Sequence, residues 1–339
     1  MRSALRYLAP LVSALVIAAA CAAPRATAPT ATAGASASAS AEPDFTGKTL
    51  NIATGATGAV YIIYGAGIAE LLNKKLKTQA SSQSTPASVD NMKLIRDGKA
   101  DLALTQADIA YDAVKGQGRF APPEGKVDAK ALAVMYTNYL HLVTKDGSPI
   151  NTVTDLKGKR VSLGPAGSGT EVKATRVLEG YAMTPADMQV QRLSSQDAAD
   201  ALRDGKLDAF FFDGGLPIGA VLDLSNSMKI KLIDQTDAIK KMADKYGSFY
   251  FAAKIPKETY KTSADVTVAG IANLLVVPST FDPKLASAIL KTMLDNRADL
   301  EKVHPAALEL KLDTMTVGSP VDFHQGAIDF YKSRNAWKG

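Results

Sequence analysis

Apolar residues recur along the chain with two periods. Short, bulky runs at residues 49–53, 140–144, 160–163, 249–253 and 266–277 have the length and character of buried strands. Longer stretches with apolar positions three and four apart predict helices over 60–77, 170–179, 238–245, 283–304 and 324–333. Asp282-Pro283 marks one start, a capping acid followed by proline at the first helical position. Strands alternating with helices predict an α/β fold with mostly parallel sheets.

Two stretches read alike: Leu94-Ile-Arg-Asp-Gly-Lys-Ala-Asp101-Leu-Ala-Leu and Ala201-Leu-Arg-Asp-Gly-Lys-Leu-Asp208-Ala-Phe-Phe, with Arg96 and Arg203 107 positions apart. Each predicts a helix that ends on a glycine in the left-handed C′ position and runs at once into a short strand. Chance similarity of two helix–turn–strand units is the plain alternative, but the shared Arg-Asp-Gly-Lys-x-Asp favours a structural repeat with one copy in each of two lobes. The strand ends then face each other across a cleft.

Two glycine-rich turns follow predicted strands and precede predicted helices: Gly55-Ala-Thr57-Gly58-Ala-Val-Tyr61 and Gly164-Pro-Ala-Gly167-Ser168-Gly169-Thr170. Helix N-termini carry unpaired N–H groups and a favourable dipole for anions, and glycine lets a ligand approach the backbone. The second turn has Gly164 and Gly169 at P-loop spacing, but Thr170 stands where the lysine belongs, which argues against triphosphate binding. Gly167-Ser168-Gly169 also lacks the spacing of a hydrolase elbow. Plain βα turns would need glycines for backbone geometry alone; two such turns, one in each half, favour ligand capture at the carboxyl ends of the strands.

The N-terminus changes the picture of where this happens. A basic start (Arg2, Arg6), an apolar run over 8–20 and Ala18-Ala19-Ala20-Cys21 have the form of a secretory signal, too short to span a bilayer. Cys21 is the single cysteine, so no intramolecular disulfide forms. It follows three small residues like the acylated cysteine of a lipobox, although alanine replaces the usual leucine three positions before it; ordinary cleavage at an Ala-x-Ala site is the other reading. Residues 22–45 are rich in Ala, Ser, Thr and Pro and predict a flexible tether.

Roughly 295 residues remain, enough for two lobes with a well-buried core. With 46% hydrophobic and 22% charged residues the composition is that of a soluble globular protein. Loss of residues 1–21 takes the formal charge from +5 to +3, and the lysines are scattered, which argues against nucleic acid. His141, His304 and His324 are dispersed without metal-ligand spacing. Asp101, Asp155 and Asp208 sit at element boundaries, where capping accounts for them. No nucleophile–base pair stands out, so the reading is a binding protein and not an enzyme, with no cofactor or metal.

Further motifs occur in order: Ser88-Val-Asp-Asn91, Asp101-Leu-Ala-Leu-Thr-Gln106, Asp155-Leu-Lys-Gly-Lys-Arg160, Asp208-Ala-Phe-Phe, Gly215-Leu-Pro217, Ile255-Pro256-x-x-x-Tyr260 and His324-Gln-Gly-Ala-Ile328. Together with the two glycine turns they resemble the TAXI-type solute-binding proteins of tripartite ATP-independent periplasmic (TRAP) transporters, from about residue 46 to the C-terminus. The departures are Ala59 and Ile62, where that family has a glycine and a tyrosine.

The resemblance implies a type II periplasmic-binding-protein fold, with two α/β lobes joined by two hinge strands and a ligand cleft between them. One lobe would comprise 46–139 and 254–339 and the other 140–253, with crossings near 139–143 and 249–253. It implies capture of a small organic anion such as glutamate or 2-oxoglutarate by an exported, lipid-anchored monomer that serves a gradient-driven TRAP permease. The implied ligand-binding residues are Thr57, Tyr61, Asn91, Gln106, Ser168, Gly169, Thr170, Asp213, Gly214 and Gly215. Ser168, Gly169 and Thr170 would hold a carboxylate through hydroxyl and N–H groups, since no arginine sits in these turns. Asp213 either pairs with an amino group or caps the helix after Gly215, and Tyr61 is either a ligand contact or a core residue. The rival readings are a same-fold binding protein for an ATP-driven importer or a sensor kinase, an enzyme on the same fold, and a structural surface lipoprotein.

Overall fold

The computed structural model describes residues 43–338. Residues 1–42, which hold the expected signal, Cys21 and most of the expected tether, lie outside the described residues.

The chain begins with β1 (Thr49–Ala53), α1 (Val60–Leu76), β2 (Gln79–Gln83), α2 (Ser88–Arg96), β3 (Leu102–Gln106) and α3 (Ala107–Lys115). Parallel pairing of β1 with both β2 and β3 makes a three-stranded unit in the order β2-β1-β3. After β4 (Ala129–Lys145) the pattern repeats: β5 (Arg160–Ser162), α4 (Gly169–Gly180), β6 (Gln189–Gln191), α5 (Ser195–Arg203), β7 (Ala209–Gly214) and α6 (Gly219–Ser227). Here β5 pairs in parallel with β6 and β7, giving the mirrored order β7-β5-β6. The remaining elements are β8 (Ile230–Leu232), α7 (Thr236–Tyr246), β9 (Phe251–Ile255), α8 (Lys257–Tyr260), β10 (Val266–Pro278), α9 (Pro283–Asp295), α10 (Arg297–Val303) and α11 (Gln325–Ser333).

The two units are joined by β4 and β10, which pair antiparallel from Ala129 opposite Pro278 to Tyr139 opposite Gly270. The C-terminal part of β10 also pairs with β3 of the first unit, and the C-terminal part of β4 with β7 of the second. β10 is buried on both faces along almost its whole length, which is why it reads in sequence as a long apolar run, while Val134, Thr137 and Tyr139 in the middle of β4 are half-buried. The expected strand at 140–144 is only the end of β4. The expected return crossing near 249–253 is corrected: that stretch becomes β9, which pairs with Val266–Gly270, and the chain crosses back along β10. A 13-residue strand is longer than one small unit requires, and its two ends serve different neighbours. The helix expected over 283–304 breaks at Asn296, whose side chain donates to Thr292 O at 2.8 Å.

The sequence repeat is a structural repeat. Gly98 and Gly205 follow α2 and α5 with φ of +64° and +72°, a conformation that costs glycine little. The bonds match as well: Lys99 N–H donates to Leu94 O and Lys206 N–H to Ala201 O. The following acids are not helix caps, a correction to the expectation. Asn51 N–H donates to Asp101 Oδ2 and Arg160 N–H donates to Asp208 Oδ2, both at 2.8 Å, and in each copy the Asp N–H donates back to the same strand. Each aspartate thus ties the start of its own strand to the parallel neighbour, at the middle of β1 in the first copy and the start of β5 in the second. Asp155 does cap, in a box with Thr152.

Three apolar clusters fill the space between sheet and helices. One lies beneath α1, α9 and α11, with Tyr64, Ile68, Leu72, Ile289 and Tyr331. Another lies beneath α5, α6 and α8, with Leu202, Phe210, Val221 and Tyr260. The third runs through both units, from Met92 and Ile109 to Leu142, Val177 and Met242. Beside it a buried charge cluster joins α4 to α3. The Arg176 guanidinium donates to Asp108 at 3.3 Å, to Asp112 and to Tyr250 OH at 2.8 Å, and it lies 4.2 Å from the Tyr246 ring centre.

Breaking this cluster should be costly, because Arg176→Met leaves two buried carboxylates without a countercharge. The expected loss is about 3–5 kcal/mol of unfolding free energy by urea titration; a loss under about 1 kcal/mol would contradict the assignment. Asp208→Ala removes bonds to Arg160 and should lower stability by about 1–3 kcal/mol at neutral pH. Hydrogen bonds from Arg160 hold the Asp208 carboxyl below the usual range. Its contribution is therefore present at neutral pH and lost as pH falls through that lowered value, so the gap from wild type should close on acidification.

Candidate functional site

The carboxyl ends of β1, β3, β5 and β7 converge on one cavity between the two units, and β4 contributes its wall. Its lining includes Gly55, Tyr61, Ser88, Gln106, Tyr136, Asn138, Gly169, Thr170, Asp213 and Gly214. The cavity has a volume of about 410 Å³, part of it continuous with solvent, and residues of both units meet across it. The halves are therefore closely apposed. At Gly169 a Cβ would fall 2.5 Å from Gln106 Cδ across the gap, so a larger residue there would displace the Gln106 amide.

Three helices open onto the cavity, with Val60 and Tyr61 of α1, Ser88 of α2, and Gly169 and Thr170 of α4 in its lining. N–H groups in the first turn of a helix have no intrahelical acceptor, and the three dipoles favour negative charge. The hydroxyls expected to assist are otherwise engaged. Ser168 Oγ accepts from Glu171 N–H at 3.1 Å and donates to Pro165 O at 2.6 Å, so it caps α4. Thr170 Oγ1 accepts from Asp213 N–H at 3.3 Å and ties α4 to β7.

Asp213 ends β7 and does not cap a helix; α6 begins at Gly219 with Ile218 as its cap residue. Its Oδ2 lies 2.7 Å from Lys173 Nζ, and both side chains are wholly buried. Its Oδ1 has no partner. Burial pushes the Asp213 pKa up to about 6, while Lys173 pulls it back toward the ordinary carboxylate value. Gln106 Oε1, Asn138 Oδ1 and Tyr136 OH are likewise buried without a hydrogen bond. Four buried polar groups among the residues lining one pocket thus have no partner, and unpaired buried polar atoms are rare.

Tyr61 OH donates to Asn273 Oδ1 and lies 3.4 Å from Ser88 Oγ, so it is both packed in the core and part of the wall. Burial raises its pKa, which keeps the hydroxyl neutral. The loop after Asp213 is braced from below. His141 Nδ1 lies 2.7 Å from Tyr139 O, and burial lowers the ring's pKa to about 4, so the neutral ring donates there. Its Nε2 accepts from Tyr260 OH at 2.9 Å, and Tyr260 in turn accepts from Ile218 N–H at 2.7 Å. His304 and His324 accept from Ala306 and Gly326 N–H, as structural caps.

Of the residues expected at the site, Tyr61, Gln106, Ser168, Gly169, Thr170, Asp213 and Gly214 line this cavity. Three do not. Thr57 lies in the outer mouth with Arg192, Ser194 and Gln196. Asn91 is a brace: its Nδ2 donates to Thr54 O and Leu104 O at 2.6 and 2.7 Å, and its Oδ1 accepts from Thr85. Gly215 packs against Tyr136 and Ala306. Sequence reasoning missed Ser88, Tyr136, Asn138, Asn273 and Lys173. A signal existed for the two asparagines, each a lone amide within a long apolar strand.

Among the described residues, no helix is long and apolar enough to cross a membrane, and no group of three or more His, Cys, Asp or Glu residues could hold a metal ion. The chain shares its fold with a protein of Bordetella bronchiseptica RB50, at 18% identity over 86% of this chain and 89% of that one, with a TM-score of 0.51. It is also similar to the periplasmic aliphatic sulphonate binding protein SsuA from Escherichia coli, at 17% identity over 86% of this chain and 94% of that one, with a TM-score of 0.46. The substrate binding protein of an amino acid ABC transporter matches at 14% identity over 76% of this chain and 97% of that one, TM-score 0.46. The architecture is mixed α/β, two three-stranded parallel units joined in one sheet by two long antiparallel strands, as the sequence motifs implied. The model of the NMT1-like family matches residues 52–334, and the chain belongs to that family.

Proposed function

We propose that this protein is an extracytoplasmic solute-binding protein that captures a small organic anion bearing an amino group, such as glutamate, and delivers it to a membrane permease. The carrying observation is the set of unpaired buried acceptors, Gln106 Oε1, Asn138 Oδ1 and Asp213 Oδ1, beside three helix N-termini. An ammonium group has three N–H donors and no acceptor. The helix N-termini suit a carboxylate and the acceptor triad suits the ammonium, which favours an amino acid over 2-oxoglutarate. Closure of the two lobes around the ligand follows from its contacts with both.

The order of sequence motifs favours a TRAP-type permease as partner, with an ATP-driven importer as the alternative; uptake by cells carrying one or the other permease with this protein separates them. In this reading the signal is removed just before Cys21, Cys21 carries a lipid, and residues 22–45 tether a monomer to the membrane.

Thermal unfolding against a panel of amino acids, keto acids, dicarboxylates and sugars tests the reading. A ligand at about 100 times its Kd should add about 2.7 kcal/mol to stability. Amino acids should raise the melting temperature and sugars should not; a rise with sugars alone would reject the proposal. Asp213→Asn should weaken amino-acid binding by at least about tenfold in calorimetry, since it removes the charged partner of the ammonium.

A further inference from the structure

The cavity wall at Asp213 continues into a row of buried charge. Lys173 Nζ is 2.7 Å from Asp213 Oδ2, and three positions further along α4 Arg176 reaches Asp108 and Asp112 on α3. These five side chains carry two positive and three negative charges, one negative in excess. Glu171, on another face of α4, is answered at the surface by Arg119 and Arg192. The groups around Asp213 are Lys173 and Thr170 from α4, Asn138 and Tyr136 from β4, Tyr61 from α1 and Asp108 from α3. Of these only Lys173 is cationic; it lies against Oδ2, to which Asn138 Nδ2 also donates at 3.5 Å, while Oδ1 is buried in the cavity wall without a hydrogen-bond partner.

A bare carboxylate oxygen accepts a ligand ammonium directly, and the ammonium offsets the excess charge. The keto acid of the same skeleton presents an oxygen in place of that ammonium. Two acceptors then meet at a buried carboxylate, and one proton must come between them.

We propose that Asp213 makes ligand choice proton-linked: an amino acid binds the carboxylate form, whereas the matching keto acid binds only with one proton taken from solvent onto Asp213 Oδ1, which then donates to the keto oxygen. This rests on the reading of the cavity as an amino-acid site. The direction of the pH effect follows from the burial that pushes Asp213 up to about 6 in the empty site. Bound keto acid raises that value further. Between the two values keto-acid affinity rises as pH falls, approaching tenfold per unit, while amino-acid affinity stays flat and weakens only as Asp213 itself protonates.

Calorimetry of the purified protein in two buffers of different ionisation enthalpy, near pH 8, reads the linked proton directly. Two matched pairs serve as probes: L-glutamate with 2-oxoglutarate, and L-alanine with pyruvate. The expected result for the pair that binds is about one proton taken up per keto acid and about none per amino acid. From about pH 8.5 to 6.5 the keto acid should tighten toward tenfold per unit, and the amino acid should change less than about twofold. Equal proton uptake by both members, a flat pH profile for the keto acid, or a keto acid that never binds while its amino acid does would overturn the proposal and leave the amino-acid reading standing. Binding of no member of either pair, or of keto acids alone, overturns both. Asp213→Asn alone strands the buried Lys173 and risks misfolding, so the neutral pair Lys173→Met with Asp213→Asn is the control. It should bind the amino acid at least about tenfold more weakly than wild type and take up no proton with either member; persistent uptake would place the proton elsewhere and refute the proposal.

Discussion

The antiparallel pair of β4 and β10 is the constraint on which everything else in this molecule rests. Each strand is long enough to belong to two three-stranded units at once, and each changes neighbours near its middle. Because β1, β3, β5 and β7 are parallel within their units, their carboxyl ends point into the gap that the crossing strands span. The glycine turns, the helix N-termini and Asp213 all lie at those ends. Asn138, a polar group that would be costly in a sheet interior, sits where the strands cross and lines the gap, and the buried Asn273 beside it accepts from Tyr61 of the cavity wall. The crossing geometry thus creates both the cavity and the polar floor within it.

Charge then divides the cavity wall. Helix dipoles bring partial positive charge from α1, α2 and α4, while Asp213 brings a carboxylate that Lys173 steadies from behind. The helix that supplies the cavity with N–H groups also carries Lys173 and Arg176, its links to β7 and to α3. Movement of α4 relative to α3 would disturb the buried cluster and the cavity together. Burying so many ions is a poor route to stability by itself; here it fixes the relative position of two lobes whose shared surface is the site.

Much of the architecture was legible in the sequence, for identifiable reasons. The Arg-Asp-Gly-Lys-x-Asp repeat marks a helix end that needs left-handed glycine and an aspartate that ties two strands together, and both demands hold in each copy. The site was partly legible. Turn residues such as Gly169 and Thr170 announce themselves by glycine content, and Asp213 by its place at a strand end. Spacing cannot tell which way a side chain points, so Asn91 was expected in the cavity and instead braces two backbones, while Thr57 lies in the outer mouth. Of the hydroxyls expected to serve a ligand, that of Ser168 is consumed by the turn itself, and that of Thr170 accepts from the backbone of β7. Nor can one chain reveal that Lys173 and Asp213, forty residues apart, meet in the interior. The full length of β4 was hidden because its first half is an apolar run with no alternation to mark it as strand.

The central claim is that this cavity holds a small molecule with its carboxylate on the helix N-termini and its amino group on Asp213. A crystal structure of the protein with the amino acid that most raises its melting temperature tests this directly. The account predicts a carboxylate at hydrogen-bond distance from the N–H groups of Gly169 or Thr170, and an ammonium nitrogen at the same reach of Asp213 Oδ1. A ligand bound outside this cavity, or lying in it with the two ends reversed, would contradict the account.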